Sequence, residues 1–311
     1  MEVIKYNSSL KSEWDNFITK AKNHHFMFYR DYMEYHSDRF IDHSLMIYNN
    51  GTLISCFPAN MKENVFYSHA GLTFGGFITN EKMTTSLMLD VFESVINYLK
   101  NNNIKEIVYK CIPYIYHLLP AEEDRYALFI NNAQLYRRDV STTIYLDNEI
   151  KYQERRKRSI KKAKNLDIKI YESKEYDEYW KILSENLYTK YKTKPVHSIE
   201  EIKLLHKKFS ENIKLFVSSL QDKILSGVVV YINPKIVHCQ YISSSEEGKE
   251  LGALDILFDY LIKLYQNDKK YFDFGISNEQ EGRYLNKGLI EFKEGFGARA
   301  VCHDFYRLVI K

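Results

Sequence analysis

Hydrophobic and polar positions along the chain run through one pattern twice. In the first half, residues 43–48 read as a strand and Asn49-Asn50-Gly51 as a hairpin turn. Residues 52–58 form the return strand and 65–68 a further short strand. A glycine-rich loop, 69–76, follows. A helix is then predicted over about 81–101, because apolar residues at 88, 91, 92, 95, 96 and 99 have the i, i+3, i+4 spacing of one buried face. The next strand is 104–110. In the second half, 213–219 and 224–232 form a hairpin about Gln221-Asp222-Lys223, and Asn233-Pro234 breaks the chain. A strand at 236–243, a polar loop at 244–251, a helix over about 252–266 and a strand at 271–274 complete the copy. Each half ends in a late strand, 135–146 and 300–310. The second half adds leading helices near 153–165, 175–192 and 198–210. The pattern predicts a duplicated α+β unit, with mixed, largely antiparallel sheets flanked by helices and a boundary near Asn148, giving domains 1–148 and 149–311.

Composition fits this picture. At 311 residues, with 45% hydrophobic and 27% charged positions, the chain can fill one large or two average cores. No run approaches the roughly 18 apolar residues of a membrane span, and the first residues lack a signal-peptide core, so the sequence reads as cytoplasmic. Cys56, Cys111, Cys239 and Cys302 are far apart and sit in or beside apolar runs, which predicts reduced, partly buried thiols. The histidines, including the pair His24-His25, show no metal-ligand spacing, and no metal is expected.

Charge changes the picture at one place. Residues 151–165 hold eight Lys/Arg against one Glu, a local +7 in a chain of net +3, so the remainder carries −4. This stretch reads either as a polyanion-binding surface or as a solvated helix flank held through Ile160 and Ala163.

Candidate chemistry concentrates near the C-terminus. Asp273-Phe274-Gly275 lacks the glycine-rich and catalytic loops of a kinase, so Asp273 reads as a strand-end carboxylate. Phe292-Lys293-Glu294-Gly295-Phe296-Gly297 packs charge, aromatic surface and backbone freedom into a turn. It reads equally as a helix end followed by a strand, with both phenylalanines in the core. The loop after Tyr241 and Ser243, with Lys249-x-x-Gly252-Ala253, allows backbone to approach an anion, although Glu246 and Glu247 work against that. His197 reads as a helix cap or an acid/base. Arg283 and Asn286 flank the tail as further binding candidates. In the first half, Tyr29–Tyr32 and His36–Arg39 mix charges and aromatics, with Arg30 as the candidate; they line a cleft or form local ion pairs.

Three stretches together resemble the FemAB/FemX-like branch of the GNAT acyltransferase superfamily: the basic opening Arg155–Ala163, the strand at 271–275, and 289–299 with its Phe-Lys-x-Gly-Phe-Gly core. The resemblance implies two tandem GNAT folds with the acceptor bound between them. It implies a transferase that moves an acyl or aminoacyl group to an amine of a cell-envelope precursor, peptidoglycan or surface polysaccharide. It places Phe292 and Lys293 at the junction of donor and acceptor, with Lys293 stabilising an oxyanion or neutralising a phosphate, and leaves Asp273 and His197 as candidates for the base. The donor stays open between acyl-CoA and aminoacyl-tRNA, with no tightly bound cofactor. Two further readings remain: a GNAT-fold protein that binds a nucleotide-linked sugar or peptide without transfer, and a tRNA-binding protein.

Overall fold

A computed structural model describes all of residues 1–311. They form two compact units. One is Met1–Asp139 with Asn278–Tyr284 and Cys302–Lys311; the other is Val140–Ser277 with Leu285–Val301. This differs from a single division near Asn148, and the closing strand is the reason. Residues 305–309 pair antiparallel with 106–110, so the last residues of the chain complete the sheet of the first unit.

The elements, in chain order, begin with β1 (Glu2–Lys5), α1 (Lys11–Thr19), α2 (Arg30–Met33), β2 (Ile41–Asp42), β3 (Leu45–Asn49), β4 (Thr52–Phe57), β5 (Asn60–Lys62), β6 (Val65–Tyr67) and β7 (Ile78–Thr79). Next come α3 (Thr85–Asn101), β8 (Glu106–Lys110), α4 (Glu123–Ile130), β9 (Gln134–Tyr145), α5 (Glu154–Lys164), β10 (Lys169–Ser173), α6 (Tyr176–Tyr191) and α7 (Ile199–Lys208). The chain ends with β11 (Ile213–Leu220), β12 (Lys223–Ile232), β13 (Ile236–Ser244), α8 (Glu246–Leu251), α9 (Ala253–Tyr265), β14 (Tyr271–Ile276), β15 (Asn278–Glu279), β16 (Tyr284–Leu285), α10 (Lys287–Glu294) and β17 (Arg299–Val309). No helix is long and apolar enough to cross a membrane.

In the first unit, β1, β3, β4 and β7 form one antiparallel sheet. The order β2-β5-β6-β8 with the end of β17 forms the other, in which only β6 and β8 run parallel. The turn between β3 and β4 works because Asn50 and Gly51 both adopt positive φ, 49° and 75°. Helix α3 starts at Thr85 rather than near 81, because the Thr84 hydroxyl accepts the Leu87 N–H and caps the first turn. Its predicted stripe is real: Met88, Val91, Phe92, Val95 and Leu99 are buried among Leu45, Ile47, Phe57 and Ile107. At roughly 1.5–3 kcal/mol per buried large side chain, this packing outweighs the few tenths that the β-branched Val91 and Val95 cost a helix.

The same core holds an acid. Asp124 is buried and accepts from the Tyr109 hydroxyl at 2.5 Å. Burial pushes its carboxyl up to about 6, against the lowering effect of Tyr109 and Arg125. Between the ordinary carboxylate range and pH 6, the folded protein therefore binds a proton that the unfolded chain has lost. Stability from this group falls as pH rises through that window and is flat above it. Urea unfolding of the wild type between pH 4.5 and 7.5 should show that slope, and Asp124→Asn should remove it.

In the second unit the strand order is β10-β11-β12-β13-β14 followed by the end of β9. All pairs are antiparallel except β13 and β14. Leu257, Phe258 and Leu261 of α9 pack on one face, against Val228, Val230, Val237 and Cys239. Helix α6 covers part of the other face. There the Tyr179 ring lies so close that a Cβ on Gly227 would fall 2.4 Å from it. Cys56, Cys111 and Cys239 are buried free thiols; Cys302, unlike the expectation for it, is exposed.

Candidate active site

Strict alternation along β13 would send His238 and Tyr241 to opposite faces of the sheet. They share one. Val230 of β12 opposes Cys239 while Val229 opposes Tyr241, so Gln240 is an extra residue, a bulge. Val228 and Val230 lie in the core under α9, so Val229 and Tyr231 point the other way. Their partners Tyr241 and His238 point with them.

The bulge sits where the sheet opens. β13 and β14 pair over only three positions, Ile236 with Tyr271, Val237 with Phe272 and His238 with Asp273. Beyond that register the two strands part. His238, side chain 12% exposed, stands at the opening with its Nδ1 2.7 Å from Asp273 Oδ2. The other carboxylate oxygen of Asp273 accepts from Ser141 Oγ at 2.5 Å and Thr143 Oγ1 at 2.7 Å, both on β9. Asp273 itself is fully buried. A carboxylate only accepts, so Nδ1 carries the proton toward Asp273 and Nε2 is left as an acceptor. This arrangement fixes the ring and its tautomer, as a general base requires. Gly275 adopts φ +77°, and a Cβ there would lie 3.2 Å from His238 Cε1. The strand end therefore passes close to the imidazole.

Lys293 holds that strand end. It lies on α10, is buried, and donates from Nζ to the carbonyls of Gly275 and Ile276, each at 2.7 Å. Burial pushes its ammonium down to about 8, with the Asp273 carboxylate pulling the other way. Its hydrogen bonds go to the backbone of the strand end beside His238.

The remaining candidates separate by location. Tyr241 OH meets His197 Nδ1 at 2.5 Å and the His197 backbone N–H at 3.2 Å, with Trp180 edge-on to its ring at 5.0 Å. His197 is thus buried against Tyr241. Ser243 Oγ accepts from Asn186 at 2.7 Å. Asn286 caps α10 by accepting the Leu289 N–H at 3.1 Å and reaches Tyr191 OH at 3.3 Å.

Several expected binding residues do not line a site. Phe296 is fully buried in the core with Phe258 and Phe274, and Phe292 packs against it. Gly295 ends α10 and Gly297, at φ +89°, turns the chain toward β17, so the helix-end reading describes this segment. Lys249 is exposed and paired with Glu246. Arg283 is exposed in the segment that belongs to the first unit. Arg30 is buried in an ion cluster with Asp42 and Glu34, its guanidinium 3.7 Å from the Tyr6 ring centroid. The 29–39 segment therefore forms local ion pairs.

The first unit has the same frame without the chemistry. β6 and β8 also pair in parallel over three positions, and those matching His238 and Asp273 are Tyr67 and Val108. Beyond them the opening is closed. Lys110 Nζ donates to the carbonyls of His69, Ala70 and Leu72, and Gly75 N–H bonds Lys110 O. His238 was the residue that sequence reasoning passed over. Its signal was a histidine within an apolar strand, which means nothing until Asp273 arrives beside it.

Residues 150–293 match the acetyltransferase (GNAT) domain family.

Among solved structures, FemX shares 10% identity over 98% of this chain and 97% of that one, with a TM-score of 0.68. L-PGS from Bacillus licheniformis shares 10% over 98% and 92%, with a TM-score of 0.64. A tandem GNAT protein from the clavulanic acid biosynthesis pathway shares 8% over 100% and 98%, with a TM-score of 0.51. At these identities the likeness is one of fold. No curated protein matches the sequence significantly. GNAT acyltransferases use acyl-CoA as a donor substrate rather than as a tightly held cofactor.

Proposed function

We propose that this protein transfers an acyl or aminoacyl group to an amine of a cell-envelope precursor, with His238 as the general base. The observation that carries this reading is the His238–Asp273 pair at the opening between β13 and β14. The amine nitrogen attacks the donor carbonyl carbon and a C–N bond forms. Nε2 takes the amine proton as the tetrahedral centre forms and returns it to the leaving group as the acyl bond to that group breaks. Asp273 stays ionised and stabilises the imidazolium between the two transfers. The bulge at Gln240 takes one residue out of the ladder; its main-chain N–H is our candidate donor to the developing oxyanion. Tyr241 and Ser243 lie along the same strand on the approach to the base. Support for an envelope acceptor comes from the FemX-like resemblance and from a fold neighbour that is a lysylphosphatidylglycerol synthetase domain.

The test is transfer itself. Purified protein is given aminoacyl-tRNA or acyl-CoA donors and a panel of envelope precursors bearing free amines, and products are read by mass spectrometry. The reading expects one acyl increment on the amine. Modification of a hydroxyl instead, or no transfer from any donor to any amine, would sink it.

A further inference from the structure

Helix α5 is anchored by little apolar surface and exposes much charge. Its buried side chains are Ile160 and Ala163, the latter in one cluster with Ala253 and Ile256 of α9. Part of its charge is used within the fold. Arg156 meets Asp255 at 2.5 Å, Lys157 meets Glu154 at 2.8 Å, and Lys162 donates to Glu250 O at 2.8 Å. Arg158, Lys161 and Lys164 follow one another at three-residue spacing on the exposed side. A groove of about 390 Å³ continues this face between the end of α5, β10 and α9. Ile170, Ile256 and Leu264 give it apolar walls, and Lys164 and Lys263 flank it. The buried Asp259 carboxylate holds those two ammonium groups at 3.5 and 2.8 Å. Both lysine side chains stay more than half exposed, so their long stems can carry the charge outward over apolar surface. Tyr260 and Leu264, on the same side of α9 as Lys263, are 39% and 45% exposed. Four cations thus border an open apolar groove, with one buried carboxylate among them. The charge calls for an anionic partner, and the groove decides which kind. A polynucleotide would meet the cations but leave Leu264 and the aliphatic walls in water. A bilayer with anionic headgroups takes both, with phosphates at the cations and apolar side chains at the acyl boundary.

We infer that the outer face of α5 and α9 docks the protein on an anionic phospholipid surface. Leu264 and Tyr260 enter the headgroup boundary, and Arg158, Lys161, Lys164 and Lys263 meet the lipid phosphates. The inference does not depend on the transferase reading, and its test involves neither turnover nor His238. The full-length protein is sedimented with vesicles of phosphatidylcholine alone and with vesicles of which about a third is phosphatidylglycerol. Binding is expected to the anionic vesicles only, and to weaken as salt screens the charges. The pair Arg158→Glu and Lys161→Glu should lower that binding at least about tenfold. Leu264→Ser, which leaves the charge unchanged, should lower it about threefold or more. All three positions are exposed, so thermal unfolding should match the wild type. No binding to anionic vesicles overturns the inference. So does binding that the charge-reversed pair leaves unchanged, because another surface then makes the contact. Binding that Leu264→Ser leaves unchanged overturns it as well, because the groove then takes no part. Poly(U) RNA serves as the competing polyanion. Its retention by the wild type and loss from the charge-reversed pair, with vesicles left free, would make this a nucleic-acid surface instead.

Discussion

Replacing His238 by alanine should lower kcat by about 10²- to 10⁴-fold, the usual contribution of a positioned base, while leaving the protein folded. The fold should survive because the buried Asp273 keeps Ser141 and Thr143 as partners when the imidazole is removed. Asp273→Asn tests the same unit from behind. An amide still meets Ser141 and Thr143, but its NH2 group can face Nδ1 and favour the wrong tautomer. The loss should then approach that of His238→Ala, and the double variant should be little worse than either single one. Near-additive losses would show that the two side chains do not act together.

Lys293→Met should have the second-largest effect, for a different reason. It leaves the buried Gly275 carbonyl and the part-buried Ile276 carbonyl without their donor, at about 1–3 kcal/mol for the buried one. Loss of a buried ammonium offsets part of that. Activity should fall about 10²-fold, mainly in kcat, because the strand end beside His238 is no longer held. A KM effect with unchanged kcat would mean that Lys293 meets substrate after all. Stability against pH gives an independent readout. The folded-state value near 8 lies below that of a free lysine. As pH rises above 8, the folded protein releases a proton that the unfolded chain still holds, so wild-type stability rises toward pH 10. The methionine variant should lack that rise.

Much of the frame was legible from local chemistry. The Asn50-Gly51 turn, the stripe on α3 and the Gln221-Asp222 turn are decided by neighbours in sequence, and the last two residues adopt φ of 50° and 62° as a tight hairpin turn requires. Asp273 could be read as a strand-end carboxylate for the same reason. His238 could not, since its partner is 35 positions away and arrives through a parallel register that no local pattern encodes. The bulge at Gln240 was equally hidden: one extra residue in a strand has no compositional mark. Lys293 was visible as a charge, but its burial depends on β14 running beneath α10. Arg30 looked like a ligand for the opposite reason. A charged residue among aromatics signals a cleft in sequence, whereas Asp42, Glu34 and Tyr6 satisfy it inside the core.

The closing strand has a consequence for how the chain comes to be folded. β8 needs residues 305–309 beside it, and these are synthesised roughly 200 residues after it. Until they emerge, the first unit waits on the ribosome with a sheet edge bare, after most of its own sequence has been made. Pairing across about 200 residues is slow, because the loop must close before the contacts repay it. The first half of this protein is thus the later to finish, and its unpaired edge is where a nascent or truncated chain would meet another copy and aggregate.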